Sequence, residues 1–187
     1  WSAFTFGSGM VADFGTAQFQ SLLDGKAVHE DILSSVLKIG AATSAGAFDY
    51  FAKKLRAADT PEAEKLSILG ALGHLKEKEK LLAALELNLR EIPKKNVTYP
   101  IGAAARNPVA IGFLWQWFLD NLESLEQLLP GQLGRVIIGL VPVCGQGRAR
   151  EVEEALASLG EKHPRAQGTI TMALEALDVY SRLRVAK

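Results

Sequence analysis

Apolar residues recur along this chain three and four positions apart, the helical period, and they do so from near the start to near the end. Segments with that period lie at about 11–23, 30–40, 45–58, 61–72, 77–89, 99–105, 108–119, 122–129, 133–141, 148–159 and 164–183. The breaks between them are short and carry Gly, Pro or a residue suited to cap a helix. Residues 106–121, RNPVAIGFLWQWFLDN, give the clearest start. Asn107 is expected to cap, and Pro108 to take the first helical position, where a missing N–H costs nothing. Ile111, Leu114, Trp115, Phe118 and Leu122 then share one face, while Trp117 stands off it and is expected to meet a neighbouring helix or domain. Thr60 before Pro61, with Glu62 and Glu64 following, predicts a second capped start with acids at the positive end of the helix dipole.

Later segments repeat the pattern. Leu81, Leu82, Leu85 and Leu89 form a stripe behind the charged run 76–80, which reads as solvated surface. Val152, Ala155, Leu156 and Leu159 form another, as do Ile170, Ala173, Leu174, Leu177 and Tyr180. Residues 135–144, RVIIGLVPVC, are rich in β-branched side chains, and propensity alone would make them a buried strand. A helix is predicted instead, because a lone strand among helices would have no ladder partner for its backbone groups. The expected fold is all-α, a single domain over 1–187 of stacked antiparallel helix pairs forming a curved HEAT-like α-α superhelix, without a self-similar sequence repeat.

Composition narrows the function classes. A chain of 187 residues can bury a sizeable core without metal or disulfide staples. Its 21 basic and 21 acidic residues balance, and the basic ones form no stripe, which argues against nucleic acid as a partner. The longest apolar run, 136–145, is about half the length that crosses a bilayer, so no membrane span is expected. The one cysteine, Cys144, cannot form an internal disulfide; it is expected to be a small buried residue, and a cytoplasmic location is the default. The chain opens at Trp1 with neither an initiator Met nor the features of a signal peptide, and is expected to be a piece of a longer polypeptide.

Candidate chemistry is sparse. A zinc site of the HExxH type needs two histidines four residues apart on one helical face, with a glutamate between them. His29-Glu30 begins that pattern, but Leu33 stands where the second histidine should be, and His29, His74 and His163 are far apart in sequence. They are expected at loops or helix ends. Gly7, Gly9 and Ala12 follow Phe4-Thr5-Phe6 and satisfy G-x-G-x-x-[G/A], with Glu30 at the distance of a ribose-binding acid. No second apolar strand follows, so a helix–helix turn is expected there; Gly145 and Gly147 likewise predict a turn. Cys144 has no nearby histidine, and no G-x-S-x-G elbow is present, so neither catalytic nor metal-binding residues are assigned.

Several blocks in order resemble a known family. They are Asp31-Ile32 through Ile39-Gly40, the stretch from Asp59-Thr60-Pro61 to Lys65 with Ile68 to Gly73, Asn107-Pro108 with Trp115, and Glu151-Val152. Together they resemble the C-terminal helical (HEAT-like) domain of the gluzincin zinc aminopeptidases, of the alanyl, puromycin-sensitive and tricorn-interacting type. The likeness runs over about 28–183, with departures at Val143-Cys144-Gly145 and Tyr180, where the family often has aromatic residues. It implies the last part of a helical bowl that roofs a catalytic domain of the same polypeptide, with zinc in the full-length enzyme and none in this part. Peptides would be the substrates, enclosed as the bowl opens and closes. Arg106, Arg148 and Arg150, near helix junctions, are the candidate peptide-facing residues; surface pairing with nearby acids is the competing role. An independent α-solenoid scaffold for protein interaction is the alternative function.

Overall fold

The computed structural model describes residues 7–185 of the chain. Those residues form twelve α-helices and two 3₁₀ turns, with no strand among them. In order the helices are α1 (Gly9–Leu23), α2 (Glu30–Thr43), α3 (Ala47–Arg56), α4 (Glu62–Leu72), α5 (Lys78–Glu91), α6 (Thr98–Ala104), α7 (Pro108–Ile111), α8 (Leu114–Asp120), α9 (Leu122–Leu128), α10 (Leu133–Cys144), α11 (Ala149–Lys162) and α12 (Gln167–Val185). The all-α reading of the sequence holds, and the chain divides into two compact units, Trp1–Arg90 and Glu91–Lys187.

In the first unit α2 is the central helix, packed against α1 and α4. Its burial of Val36, Leu37, Ile39, Gly40, Ala41 and Ala42 follows from that double contact. Two glycines bring α1 and α2 close together. Ile39 fills the space where a side chain at Gly15 would stand, and the Phe19 ring fills the space beside Gly40. Phe19 in turn meets Tyr50 and Phe51 of α3 edge-on, at centroid distances of 5.6 and 5.8 Å. Lys80, in the charged run expected to be mere surface, donates to the Ala45 carbonyl at 2.7 Å and pairs with Glu77 at 2.8 Å. It ties the start of α5 to the α2–α3 turn.

In the second unit α10 is central, lying along α12 and also touching α6 and α8. Residues 135–144, ambiguous by propensity, are helical because Val136, Ile137, Leu140 and Val141 reach one buried face. Pro142 lies inside this helix and cannot donate to the carbonyl of Ile138 four residues back. Ile138 is exposed, so water can satisfy that carbonyl. The Pro142 carbonyl itself accepts from the Gln146 side chain at 3.0 Å.

Three sequence expectations are corrected. The segment 108–119 is not one helix but two, α7 and α8, separated at Gly112 and Phe113. Glycine is a poor helix former, and Phe113 leaves helical geometry at φ −125°, its N–H donating to Ala110 rather than continuing the α pattern. The break lets both Trp115 and Trp117 be buried, at 0% and 8% exposure. Thr60 does not cap α4. Pro61 occupies that position with φ −58° and has no side-chain acceptor, so Thr60 falls one residue outside the cap. Its hydroxyl is buried with no hydrogen-bond partner among the described residues. Gly9 opens α1 instead of forming part of a turn, since Ser8 takes the cap position; Phe4, Thr5 and Phe6 lie outside the described residues.

Candidate functional site

The junctions around α6, α7, α8 and α11 carry the residues singled out in sequence. Asn107 caps α7 as expected, its Oδ1 accepting from the Val109 N–H at 3.0 Å, with Pro108 at the first helical position. Trp115 is fully buried in α8 and stacks on Phe118 at 5.6 Å with an interplanar angle of 29°. A buried indole N–H needs an acceptor, and Glu151 of α11 supplies one at 2.9 Å. Thus Trp115 and Glu151, 36 residues apart, join two of the sequence blocks that carried the family likeness. The requirement for an acceptor was readable from the indole; which residue met it was not, since α11 carries four glutamates.

Arg106 follows α6 and is exposed, with its backbone N–H on the Ala103 carbonyl. Arg148 takes the N-cap position of α11 and is half-buried. Arg150, in the first turn of α11, is exposed and donates from Nε to Glu154 at 2.9 Å. That pair is a solvated contact one helical turn apart, of the kind that contributes only a few tenths of a kcal/mol. Arg148 also bears on Cys144. Burial pushes the Cys144 thiol up to about 11, and the Arg148 charge pulls weakly the other way. Cys144 is 1% exposed, as a small core residue should be.

The histidines take the places expected of them. His29 stands at the start of α2, where its Nδ1 accepts from the Asp31 N–H at 3.3 Å. His74 follows the end of α4, and His163 ends α11, its Nε2 lying 2.6 Å from Glu126. No group of three or more His, Cys, Asp or Glu among the described residues is placed to hold a metal ion, so these side chains do not fit a zinc site. Gly145 and Gly147 form the expected turn between α10 and α11, Gly147 at φ +80°.

Cavities escaped the sequence reading, among them two at helix ends. The first unit has one of about 660 Å³ between the end of α1 and the starts of α2 and α4, with Tyr50, Lys53 and Lys54 on its wall. Burial, and secondly the charge of Glu64, raises the pKa of Tyr50. Lys54 pairs with that glutamate at 3.4 Å. The second unit has one of about 420 Å³ between the α9–α10 loop and the α11–α12 corner. None of the three arginines lines either cavity. Cavities arise where loops and helix ends diverge, and hydrophobic periodicity carries no record of that.

Against known proteins, the profile of the ERAP1-like C-terminal domain matches residues 2–179. The chain belongs to that family. It is also similar to a leucyl aminopeptidase of Saccharolobus solfataricus, with 30% identity over 129 residues, which is 67% of this chain. The matched part spans 16% of that relative's length. The family likeness seen in the sequence blocks is therefore correct, and the domain is of an aminopeptidase-associated kind. Among the described residues no helix is long and apolar enough to cross a membrane.

Proposed function

We propose that this chain is the substrate-enclosing and gating C-terminal domain of a zinc-dependent aminopeptidase that removes N-terminal residues from peptides. The observation that carries the proposal is the family match over 2–179, nearly the whole chain. The name of the Saccharolobus solfataricus relative agrees with it. In this reading zinc and the catalytic residues belong to the rest of the polypeptide, whose catalytic domain is this chain's partner. A cytoplasmic setting goes with the single unpaired thiol of Cys144.

A domain without a reacting group can still affect rate by enclosing the substrate, excluding water and holding the distal end of a peptide. Arg106, Arg148 and Arg150 are the residues proposed to meet that end, since a guanidinium can grip a carboxylate with two parallel hydrogen bonds. Their placement supports the role. Arg148 and Arg150 stand at the start of α11, the positive end of its dipole, where cations are disfavoured. Helix stability gives no reason for arginine at 148, and at 150 it gives only the weak, exposed pair with Glu154.

The test uses the full-length enzyme with Arg106→Ala and Arg148→Ala combined. Longer peptides should show a raised KM or lowered kcat, while a single-residue anilide is nearly unaffected, because remote contacts assist only substrates that reach them. Equal losses on both substrates would overturn the proposed contact.

A further inference from the structure

We infer that the cavity of about 420 Å³ in the second unit is a binding site for a small oxyanion, a phosphate- or carboxylate-bearing molecule, distinct from the three junction arginines. Its volume falls within the range of small-molecule sites. The walls come from the loop between α9 and α10 and from the corner between α11 and α12.

Charge decides what kind of ligand fits. Four ionisable side chains line the cavity: Glu126, Lys162, His163 and Arg165. Glu126 is the sole acid among them, and it is already engaged, its Oε1 lying 2.6 Å from His163 Nε2. Lys162 and Arg165 make no ion pair among the described residues, so two cations stand against one hydrogen-bonded carboxylate and the excess charge at the cavity is positive. Both cations are exposed, so their attraction for an anion is strongest at low ionic strength.

The backbone agrees with the side chains. Helices α10 and α12 both begin at this cavity, through Leu133 and Gly134 in one and Thr169 in the other. Neither has an acidic residue in its first turn, and Gln132 gives α10 no side-chain cap. The Gln167 N–H is taken by the Pro164 carbonyl and the Arg135 N–H by the Gln132 carbonyl, so the amides that can meet an acceptor from outside are those of Leu133 and Gly134 at the start of α10. The close approach of the two starts depends on Gly134, where a Cβ would stand 2.9 Å from Thr169 Oγ1. The Thr169 hydroxyl adds a donor at the same wall.

The site is independent of the gating proposal, and its test needs no enzymatic activity. The isotopically labelled 187-residue chain is titrated with inorganic phosphate and, separately, with citrate at constant ionic strength, and amide shifts are followed. Saturable shifts confined to Gly131, Gly134, residues 162–166 and Thr169 are expected from at least one anion; which one responds assigns phosphate or carboxylate chemistry. Lys162→Ala with Arg165→Ala should weaken the response about tenfold or more. Arg90→Ala, an exposed arginine of the first unit, should leave it unchanged. Thr169→Val, which keeps the side-chain shape, should weaken it several-fold and provides the reading if the double variant fails to fold. Shifts matched by sodium chloride at equal ionic strength, no saturation with either anion, or undiminished binding in these variants would overturn the assignment.

Discussion

Replacing Trp115 should damage the second unit more than any surface change of similar size. The indole is fully buried, stacks on Phe118 and donates to Glu151 at 2.9 Å. Trp115→Ala removes the ring and leaves a cavity between α8 and its neighbours, at a cost of about 3–5 kcal/mol. Trp115→Phe keeps most of the packing but loses the N–H donor. Glu151 is exposed, so its released carboxylate regains water, and the loss should be only about 1–2 kcal/mol. Glu151→Gln retains an acceptor oxygen and should cost less than about 1 kcal/mol. Lys78→Ala, at the charged start of α5, should cost less than about 0.5 kcal/mol.

Urea melts followed by far-ultraviolet circular dichroism give the order of stability, and Trp117, also buried in this unit, remains a fluorescent reporter in each variant. The expected order of loss is Trp115→Ala, Trp115→Phe, Glu151→Gln, then Lys78→Ala. A Trp115→Ala midpoint equal to that of Lys78→Ala would refute the placement of this ring at the core. An Ala and a Phe variant of equal stability would assign the whole effect to the hydrogen bond and none to packing.

Gly40→Ala should destabilise by about 1–3 kcal/mol despite the better helix propensity of alanine, because its methyl would meet the Phe19 ring; a melting midpoint at or above wild type would show that α1 and α2 can part without loss. Thr60→Val should be neutral or stabilise by up to about 1 kcal/mol, since it removes a buried hydroxyl with no partner; a clear loss in the same denaturant assay would mean that the hydroxyl is satisfied in solution. Cys144 should resist alkylation at pH 8 in the folded chain and react readily in denaturant, as measured by mass spectrometry. Its thiol pKa is raised from 9.0 to about 11, so folding retains a proton that the unfolded chain gives up: the associated stability is fully present below about pH 9 and is lost as pH rises toward 11.

The sequence made the buried faces legible because helix period and burial share one cause. Leu114, Trp115 and Phe118 had to face inward once the segment was helical, and all three do. The strand-like residues 135–144 show the limit of propensity: β-branched side chains cost a helix little per residue, and burial of Val136, Ile137 and Leu140 against neighbouring helices outweighs it. What stayed hidden depends on contacts between distant residues or on one-position shifts. Thr60 and Pro61 competed for one cap position, and the outcome turned on where the first helical residue fell. Gly112 falls inside the single helix expected over 108–119, yet the two tryptophans beyond it are both buried, which a straight continuation of one narrow stripe could not provide.

The candidate sites divide in the same way. Arg106, Arg148 and Arg150 were found because helix junctions are marked by Gly, Pro and Asn in sequence, and all three do lie at or beside junctions. The oxyanion cavity was invisible because its parts, Glu126, Lys162 to Arg165 and Thr169, come from three separate stretches and each looks ordinary alone. A lysine in the last turn of α11 is what the negative end of a helix dipole favours, so Lys162 gave no signal on its own. Its neighbours change its meaning. Two cations against one hydrogen-bonded carboxylate leave the cavity an excess of positive charge, and that imbalance, which no linear pattern records, is what selects an anion.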